Sequence, residues 1–300
     1  MNNHMQTEGT LYRPPAEANT FLLQVTAGCT HNACRFCNMY QDKPFHMIDD
    51  GVLRKNLQEE KKICDIYGRY HKRVFLMDGD VFSLSADKLE EKINLIRQFM
   101  PAMETFSMYA AVRSIKNKSD ADLLRLKELG VNDLYIGYET GLDDVLTFMN
   151  KGTNLKDSIE QAQRLHEAGI HHRALFMLGV AGKGRGEESA LAAADLVNTI
   201  KPDMARFITM TVFPDTDLAK DVEAGAFTPA GELEILMEER TALENINLPE
   251  MHFWASHVLN SIPLMGYIGK DREWMLKRLN RSIEDFDEER FKKTFKRTHL

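Results

Sequence analysis

The chain has 300 residues, of which 43% are hydrophobic and 28% are charged, and its formal net charge at pH 7 is -7. This length and apolar content allow a substantial core and exclude an intrinsically disordered protein, while the acidic balance argues against a broad electrostatic grip on nucleic-acid phosphates. The N-terminus is polar, and no run approaches the roughly 18 apolar residues of a membrane helix. We therefore expect a soluble, cytoplasmic protein without a signal peptide.

Short apolar runs alternate with amphipathic helical patterns from about residue 20 to residue 215, which predicts repeated βα units and a parallel sheet. The six predicted strands are 21–26, 73–77, 105–111, 133–138, 174–179 and 205–212. The predicted helices between them are 50–67, 86–99, 119–129, 155–168 and 186–199. Six units are too few to close an eight-stranded barrel, so we predict an α/β fold of the partial (β/α)6, three-quarter TIM-like barrel type.

Beyond residue 215 the pattern changes to helices, which we predict over 230–246, 252–259, 271–279 and 283–296. The expected organisation is a polar N-terminal segment, a barrel and a helical C-terminal extension, over residues 1–19, 20–215 and 216–300. The basic run at 290–297 is interpreted as the solvated face of the last helix, with contact to RNA, an anionic substrate or a redox partner as the alternative.

The second of these C-terminal helices would place His257 and Asn260 one turn apart, beside Trp254. One interpretation is that this pair meets the substrate at the barrel mouth, which makes His257 and Asn260 candidate catalytic residues. The alternative is a helix that packs on the barrel, with Asn260 as its cap.

Three of the four cysteines, Cys29, Cys34 and Cys37, lie within nine residues of sequence. A closed tetrahedral zinc site would need a fourth protein ligand, for which His31 or Cys64 can be nominated. Three thiolates suit an iron–sulfur cluster that leaves one iron open to an exogenous ligand. A disulfide framework is not expected in a chain of this length and cysteine content.

The run from Gly28 to Tyr40 resembles the cluster loop of the radical S-adenosylmethionine (radical SAM) superfamily, although its first arc is one residue longer than in the commonest C-x3-C-x2-C spacing. The resemblance implies the partial-barrel architecture and a [4Fe-4S] cluster whose ligands are Cys29, Cys34 and Cys37. It further implies that S-adenosylmethionine (SAM) binds the remaining iron and that Phe36 shields the cluster and touches the adenine.

Further motifs follow the predicted strands and are interpreted through the same resemblance. Asp78, Gly79 and Asp80 occupy the place of the superfamily's Gly-Gly-Glu motif, where carbonyls and the Asp80 carboxylate would accept hydrogen bonds from the SAM ammonium. A polar β-turn is the alternative. After the third strand, Arg113 would pair with the SAM carboxylate and Tyr109 would line the substrate side, unless Arg113 is an ordinary surface residue.

The fourth strand runs into Gly137-Tyr138-Glu139-Thr140-Gly141, where Glu139 would accept both ribose hydroxyls of SAM. This string resembles a radical SAM subgroup related to oxygen-independent coproporphyrinogen III oxidase and to iron–sulfur oxidoreductases. After the fifth strand, Gly179 matches the start of the superfamily's adenine-contacting region.

The resemblance implies a radical SAM enzyme, an oxidoreductase or transferase that cleaves SAM reductively to a 5′-deoxyadenosyl radical, which abstracts hydrogen from a substrate. The expected partners are a small-molecule substrate and an external one-electron donor such as flavodoxin or ferredoxin, and no nucleic acid. The substrate is left open between a tetrapyrrole-like compound and another small metabolite. The alternatives are a radical SAM enzyme that modifies RNA and, outside enzymes, a zinc-stabilised interaction protein.

Overall fold

The computed structural model describes residues 5–297. Within this part the strands are β1 (Phe21–Gln24), β2 (Thr26–Ala27), β3 (His46–Met47), β4 (Arg73–Met77), β5 (Thr105–Ala110), β6 (Val131–Glu139), β7 (His172–Leu178), β8 (Met204–Thr209), β9 (His252–Ala255) and β10 (Leu264–Tyr267). The helices are α1 (Asp50–Tyr67), α2 (Ala86–Phe99), α3 (Val112–Lys116), α4 (Asp120–Glu128), α5 (Asp143–Phe148), α6 (Leu155–Glu167), α7 (Gly186–Ile200), α8 (Asp217–Glu223), α9 (Glu232–Asn245), α10 (Ile268–Glu284) and α11 (Glu288–Thr294).

Eight of the strands form one sheet in the order β1-β4-β5-β6-β7-β8-β9-β10. Strands β1, β4, β5 and β6 pair in parallel, as do β7, β8 and β9, whereas β10 runs antiparallel to β9. The sheet is open, with β1 and β10 at its ends. The fold is therefore the predicted mostly parallel α/β sheet of a partial TIM barrel.

The chain folds into two compact units. The first comprises residues up to 32 together with 39–136 and 163–172. Its interior contains Phe75, Tyr109 and Tyr135, whose rings meet edge to face at centroid distances of 5.3–6.0 Å. Next to them the buried carboxylate of Glu17 accepts hydrogen bonds from Arg73 and from the Tyr135 hydroxyl, so its charge is neutralised inside the unit.

The second unit comprises 33–38, 137–162 and the residues from 173 onward. Four successive strands each contribute one ring to a stacked row, Tyr138, Phe176, Phe207 and Phe253, with centroid separations of 6.2, 5.4 and 5.0 Å. Because side chains alternate between the two faces of a strand, one ring from each strand can line up on one face of the sheet. This row fixes the register of β6 to β9.

The six predicted strands and the five helices between them are all present, and helices 50–67 and 86–99 match in both bounds. The predicted helix over 252–259 is wrong, because residues His252–Ala255 form strand β9 and a loop follows. Its half-buried residues alternate with the fully buried Phe253 and Ala255, which is the period of two that a strand requires. The proposed division at residue 215 stays a prediction. Among the described residues, we find no helix whose length and apolar character would let it cross a membrane.

Candidate cluster and cofactor site

The approach to the first cysteine is fixed by a buried carboxylate in the first unit. Asp78 accepts hydrogen bonds from the Gly28 N–H at 3.1 Å and from the Lys43 ammonium at 3.3 Å. Burial raises the pKa of the Asp78 carboxyl, and the nearby Lys43 charge acts against that rise. Gly28 has φ +77°, and a Cβ there would lie 2.4 Å from the Lys43 carbonyl oxygen, so only glycine fits before Cys29.

Gly79 is the one residue of the predicted ammonium motif that matches the superfamily pattern. A Cβ on Gly79 would lie 2.9 Å from the Cβ of Cys29 and 2.7 Å from the Tyr40 ring. The Gly79 N–H also donates to the Gly28 carbonyl at 3.2 Å. The turn after β4 therefore lies directly against the first cysteine, and a side chain at position 79 would displace it.

Asp80 is fully buried, and its carboxylate is occupied by protein donors. It accepts from the hydroxyls of Thr30 at 2.6 Å and Ser114 at 2.7 Å, and from the Ala111 N–H at 3.1 Å. Arg113 lies 3.5 Å from the same carboxylate and donates to Thr30 at 2.8 Å. These contacts connect Thr30, the residue after Cys29, to the start of α3. The predicted role of Asp80 as an acceptor for the SAM ammonium stays a prediction, and the carboxylate would have to accept that ammonium in addition to its protein donors.

A buried lysine, Lys118, holds the backbone next to the hydrogen bonds of Asp80. The Lys118 ammonium donates to the carbonyls of Phe82 and Leu84, in the turn that follows Asp80, and lies 4.2 Å from the centroid of the Phe82 ring. Burial lowers the pKa of Lys118 to about 8, against the attraction of Asp80. Lys118 therefore fixes the backbone that leads away from Asp80.

The second and third cysteines lie in a turn of the second unit, where the Cys37 N–H donates to the Cys34 carbonyl at 3.1 Å. The turn is anchored through its backbone: the Arg35 N–H donates to the Met149 carbonyl at 3.0 Å, and the Asn150 side chain donates to the Ala33 carbonyl at 2.8 Å. None of the chain's four cysteines, all in the described part, forms a disulfide. Main-chain groups of Cys34, Arg35 and Cys37 thus shape the cysteine-bearing turn.

Phe36, between these two cysteines in the turn, packs against an apolar cluster of the second unit made by Val145, Met149, Val180, Met210, Leu218 and Phe227. It is only partly buried, and the Lys151 ammonium lies 6.0 Å from its ring centroid. Because the Phe36 ring packs on this cluster and stays partly exposed, its position is compatible with the prediction that Phe36 shields the iron–sulfur cluster.

Glu139 ends β6 in the left-handed region, at φ +67°, which costs a residue with a side chain about 1–3 kcal/mol. Its carboxylate forms an ion pair with Lys151 at 2.6 Å, and both side chains are largely buried. The two glycines of the motif are required because a side chain would not fit at either position. A Cβ on Gly137 would lie 2.3 Å from the Glu139 carboxylate, and one on Gly141 would lie 2.1 Å from the Ala192 carbonyl. The strain is thus maintained by its surroundings, as is common at functional sites.

The glycine-rich segment after β7 is held by two carboxylates one turn apart on α9. Glu238 accepts from the Gly179 N–H at 2.7 Å, and Glu234 accepts from the N–H groups of Gly184 at 2.6 Å and Gly186 at 3.1 Å. Gly179 has φ +80°, which favours glycine. The segment that includes the predicted adenine contact is therefore positioned by α9.

Glu238 makes the stability of the folded chain depend on pH. Burial raises its pKa from the ordinary 4.5 to about 7, although the Ser189 hydroxyl and the Gly179 N–H favour the ionised form. The folded state then binds the proton more tightly than the unfolded state, so the stabilisation from this proton is present below pH 4.5 and is lost as the pH rises to about 7. One proton over this window corresponds to roughly 3 kcal/mol.

We expect Glu238→Gln, whose amide oxygen can still accept the Gly179 N–H bond, to remove this fall in the free energy of unfolding between about pH 4.5 and 7. Urea titrations across the pH range would measure it. Glu244→Gln, an exposed position on the same helix, is the matched control and should keep the wild-type profile. A variant profile at position 238 that overlays the wild type would contradict the assignment.

The predicted substrate residues have different surroundings from those expected. Tyr109 lies in the aromatic interior of the first unit, half-buried. His257 lies in the loop after β9, not on a helix; burial and then the charge of Arg206 lower its pKa to about 4, so it is neutral at pH 7. Asn260 is buried and bridges two backbone groups of β8, accepting from the Thr209 N–H and donating to the Phe207 carbonyl.

Sequence reasoning missed the residues that position this site, namely Lys43, Lys118, Asn150, Lys151 and Glu238. A lysine in a polar stretch gives no local sign that its ammonium is buried. Asn150 and Lys151 lie in the string Met149-Asn150-Lys151-Gly152, which follows the motif at residues 137–141 and which sequence analysis can single out only by resemblance. Their role depends on contacts with segments far away in sequence.

A family model described as the radical SAM superfamily matches residues 23–197, which is more than half of the chain. Over 113 residues the chain is 29% identical to the heme chaperone HemW of Bacillus subtilis (strain 168). That alignment covers 37% of this chain and 30% of HemW, so the chain matches less than a third of the length of this curated relative.

Solved structures share the fold at low sequence identity. Coproporphyrinogen III oxidase (HemN) from Escherichia coli, a radical SAM enzyme, matches with a TM-score of 0.56 and 17% identity over 75% of this chain and 52% of its own. Elp3 from the archaeon Methanocaldococcus infernus matches with a TM-score of 0.56 and 12% identity, over 87% and 64% of the two chains. Methylornithine synthase (PylB) matches with a TM-score of 0.51 and 16% identity, over 91% and 85%.

Proposed function

The chain belongs to the radical SAM superfamily, whose members use a [4Fe-4S] cluster and SAM, and we propose that it is an oxidoreductase or transferase of this type with a small-molecule substrate. The observation that carries the proposal is the loop of Cys29, Cys34 and Cys37, in which main-chain contacts shape the turn and no disulfide uses the thiols. Bound there, the cluster and SAM would supply reductive cleavage of SAM and a 5′-deoxyadenosyl radical that abstracts hydrogen.

The donor set fits such a cluster. Three cysteines in one short loop, each half-buried, provide three thiolates and leave one iron open. The fourth cysteine, Cys64, lies in the buried face of α1 and would not extend the set. A closed zinc site in the loop would need one more ligand.

Around SAM we propose separate roles for the residues of each unit. In the first unit, the turn at Asp78, Gly79 and Asp80 would present acceptors to the ammonium, and Arg113 would face the carboxylate. In the second unit, Glu139, which is ion-paired with Lys151, would accept the ribose hydroxyls, and Phe36 and Gly179 would contact the adenine. The protein's part is to orient SAM and to exclude water.

We propose a tetrapyrrole-like compound as the first substrate class to test, because two relatives by sequence or fold carry the names heme chaperone and coproporphyrinogen III oxidase. A nucleic-acid substrate is disfavoured by the net charge of -7. At the substrate end we keep Tyr109 and His257, and we withdraw Asn260, because both ends of its amide are bonded to the backbone of β8.

The proposal is tested by anaerobic purification, iron analysis and a search for 5′-deoxyadenosine after reduction in the presence of SAM. We expect Glu139→Ala to keep its iron while its SAM affinity, measured by calorimetry, falls roughly ten- to a hundredfold, since a charged acceptor in a desolvated contact is worth about 1.5–3 kcal/mol. Glu160→Ala, on the exposed face of α6, is the matched control and should bind SAM like the wild type.

Because Glu139 is ion-paired with Lys151, its removal also affects folding, so Glu139→Gln is the second variant. It retains hydrogen-bonding oxygen and volume but lacks the charge. SAM affinity equal to wild type in both variants, with full iron, would remove Glu139 from the site. Absence of SAM cleavage in iron-loaded wild-type protein would overturn the proposed function as a whole.

A further inference from the structure

A second group of ligand-type side chains lies in the first unit, away from the cysteine loop. Glu60 and Cys64 are one turn apart on α1, and His71 precedes the first residue of β4. One ligand atom from each of the three residues lies within 4.8 Å of the other two. Since Cys29 follows β1 and β2 whereas His71 precedes β4, this group is at the opposite end of the parallel strands from the first cysteine of the loop.

Two members of this group are deeply buried although α1 carries many charged residues. Glu60 is 4% exposed and Cys64 is 2% exposed. The His71 Nε2 atom lies 2.7 Å from the Glu60 carboxylate, and the imidazole stacks on Phe21 with a centroid distance of 4.8 Å. The ring is therefore held in one orientation, with a nitrogen directed at the carboxylate beside the thiol.

The contact between Glu60 and His71 joins two members of the group, and the Cys64 thiol lies close enough to both for the three ligand atoms to share one cation. The first unit contains a comparison: His46 forms a pair with Glu8 at 3.0 Å, but that pair is exposed on both sides and no cysteine joins it in the ligand groups of the described residues. Burial of the Glu60 carboxylate beside the Cys64 thiol, next to a half-buried imidazole, is what a bound cation would compensate. The combination of S, N and O ligands is one that Zn²⁺ accepts.

We propose that Glu60, Cys64 and His71 form a zinc site with three protein ligands and one position left for water. Such a site would tie the last turns of α1 to the chain entering β4, through the connection that begins at Gly68. Unlike a closed structural site, it keeps one coordination position for water. It is independent of the proposed function because none of its residues belongs to the cysteine loop or to the proposed SAM contacts.

The test measures zinc and iron together in anaerobically purified protein whose cluster is fully loaded, so that zinc does not occupy the cysteine loop. We expect about one zinc per wild-type chain and loss of most of that zinc in Cys64→Ala and His71→Ala, with iron unchanged. Removing a ligand should weaken zinc binding by more than the ten- to hundredfold typical of losing a supporting partner. X-ray absorption at the zinc edge should show one sulfur at about 2.3 Å.

Glu60→Gln separates zinc binding from the ion pair, because glutamine keeps the volume and a hydrogen bond to His71 but is a poor ligand. After zinc has been removed with a chelator, added zinc should raise the melting temperature of wild-type protein and not that of Glu60→Gln. His46→Ala is the matched control and should keep its zinc. Iron-loaded wild-type protein that takes up no zinc, or zinc content unaffected by Cys64→Ala, would overturn the proposal, whatever the outcome for SAM cleavage.

Discussion

Replacing Cys34 with alanine is expected to remove the cluster iron, from ~4 atoms per chain to near zero, and to abolish SAM cleavage. The reason is that each thiolate supplies one iron ligand that no neighbouring side chain can replace. The turn itself should survive, because its internal hydrogen bond joins the Cys37 N–H to the Cys34 carbonyl and uses no side chain. Iron analysis and electron paramagnetic resonance of the reduced protein would measure the loss.

The same result is expected for Cys29→Ala and Cys37→Ala. Alanine keeps the Cβ of Cys29, which is the part of the side chain nearest to Gly79, so packing at the turn should persist. Cys64→Ala is the matched control, since it removes a buried thiol on α1 and should leave iron and SAM cleavage intact. Full iron in any variant of the loop, or its loss from Cys64→Ala, would contradict the ligand assignment.

The parallel core could be predicted because its signals are local. Strands such as β4 are short apolar runs, and helices such as α1 begin at a capping Asp49 and end at Gly68 in the left-handed region. The C-terminal part was harder, since β9 has four residues and its alternation is visible over only two buried positions. A run that short is compatible with a helix or a strand until the neighbouring strand is known.

The candidate site, too, could be predicted only where its signals are local in sequence. The cysteine spacing is a property of the sequence, and it predicts a cluster loop without knowledge of the fold. The burial of Asp80 was not predictable, because its partners come from two segments distant in sequence, Thr30 in the cysteine loop and Ala111 with Ser114 at the start of α3. A polar triplet after a strand suggests a ligand contact, but only the folded chain reveals how many protein donors the carboxylate already serves.

Asp80→Ala is expected to lower the free energy of unfolding by roughly 3 kcal/mol or more, because it leaves several donors to a buried carboxylate without an acceptor, each worth about 1–3 kcal/mol. Arg113 would also lose its buried counter-charge. Since Thr30 follows Cys29 directly, we expect iron incorporation to fall in parallel with stability. Urea titration and iron content of the purified variant would measure both effects. Asp65→Ala, at an exposed position on α1, is the matched control and should change each by little.

Asp80→Asn decides between the two roles considered for this residue. Asparagine keeps the acceptor for the Ala111 N–H but loses the charge that faces Arg113 and would face the SAM ammonium. If Asp80 acts by positioning the cysteine loop, stability, iron content and SAM affinity should decline together in Asp80→Asn and further in Asp80→Ala. If it accepts the ammonium directly, SAM affinity should fall about tenfold or more while iron and stability stay near wild type. The four protein donors already on this carboxylate favour the first outcome. If both variants behaved like the wild type, both roles would be excluded.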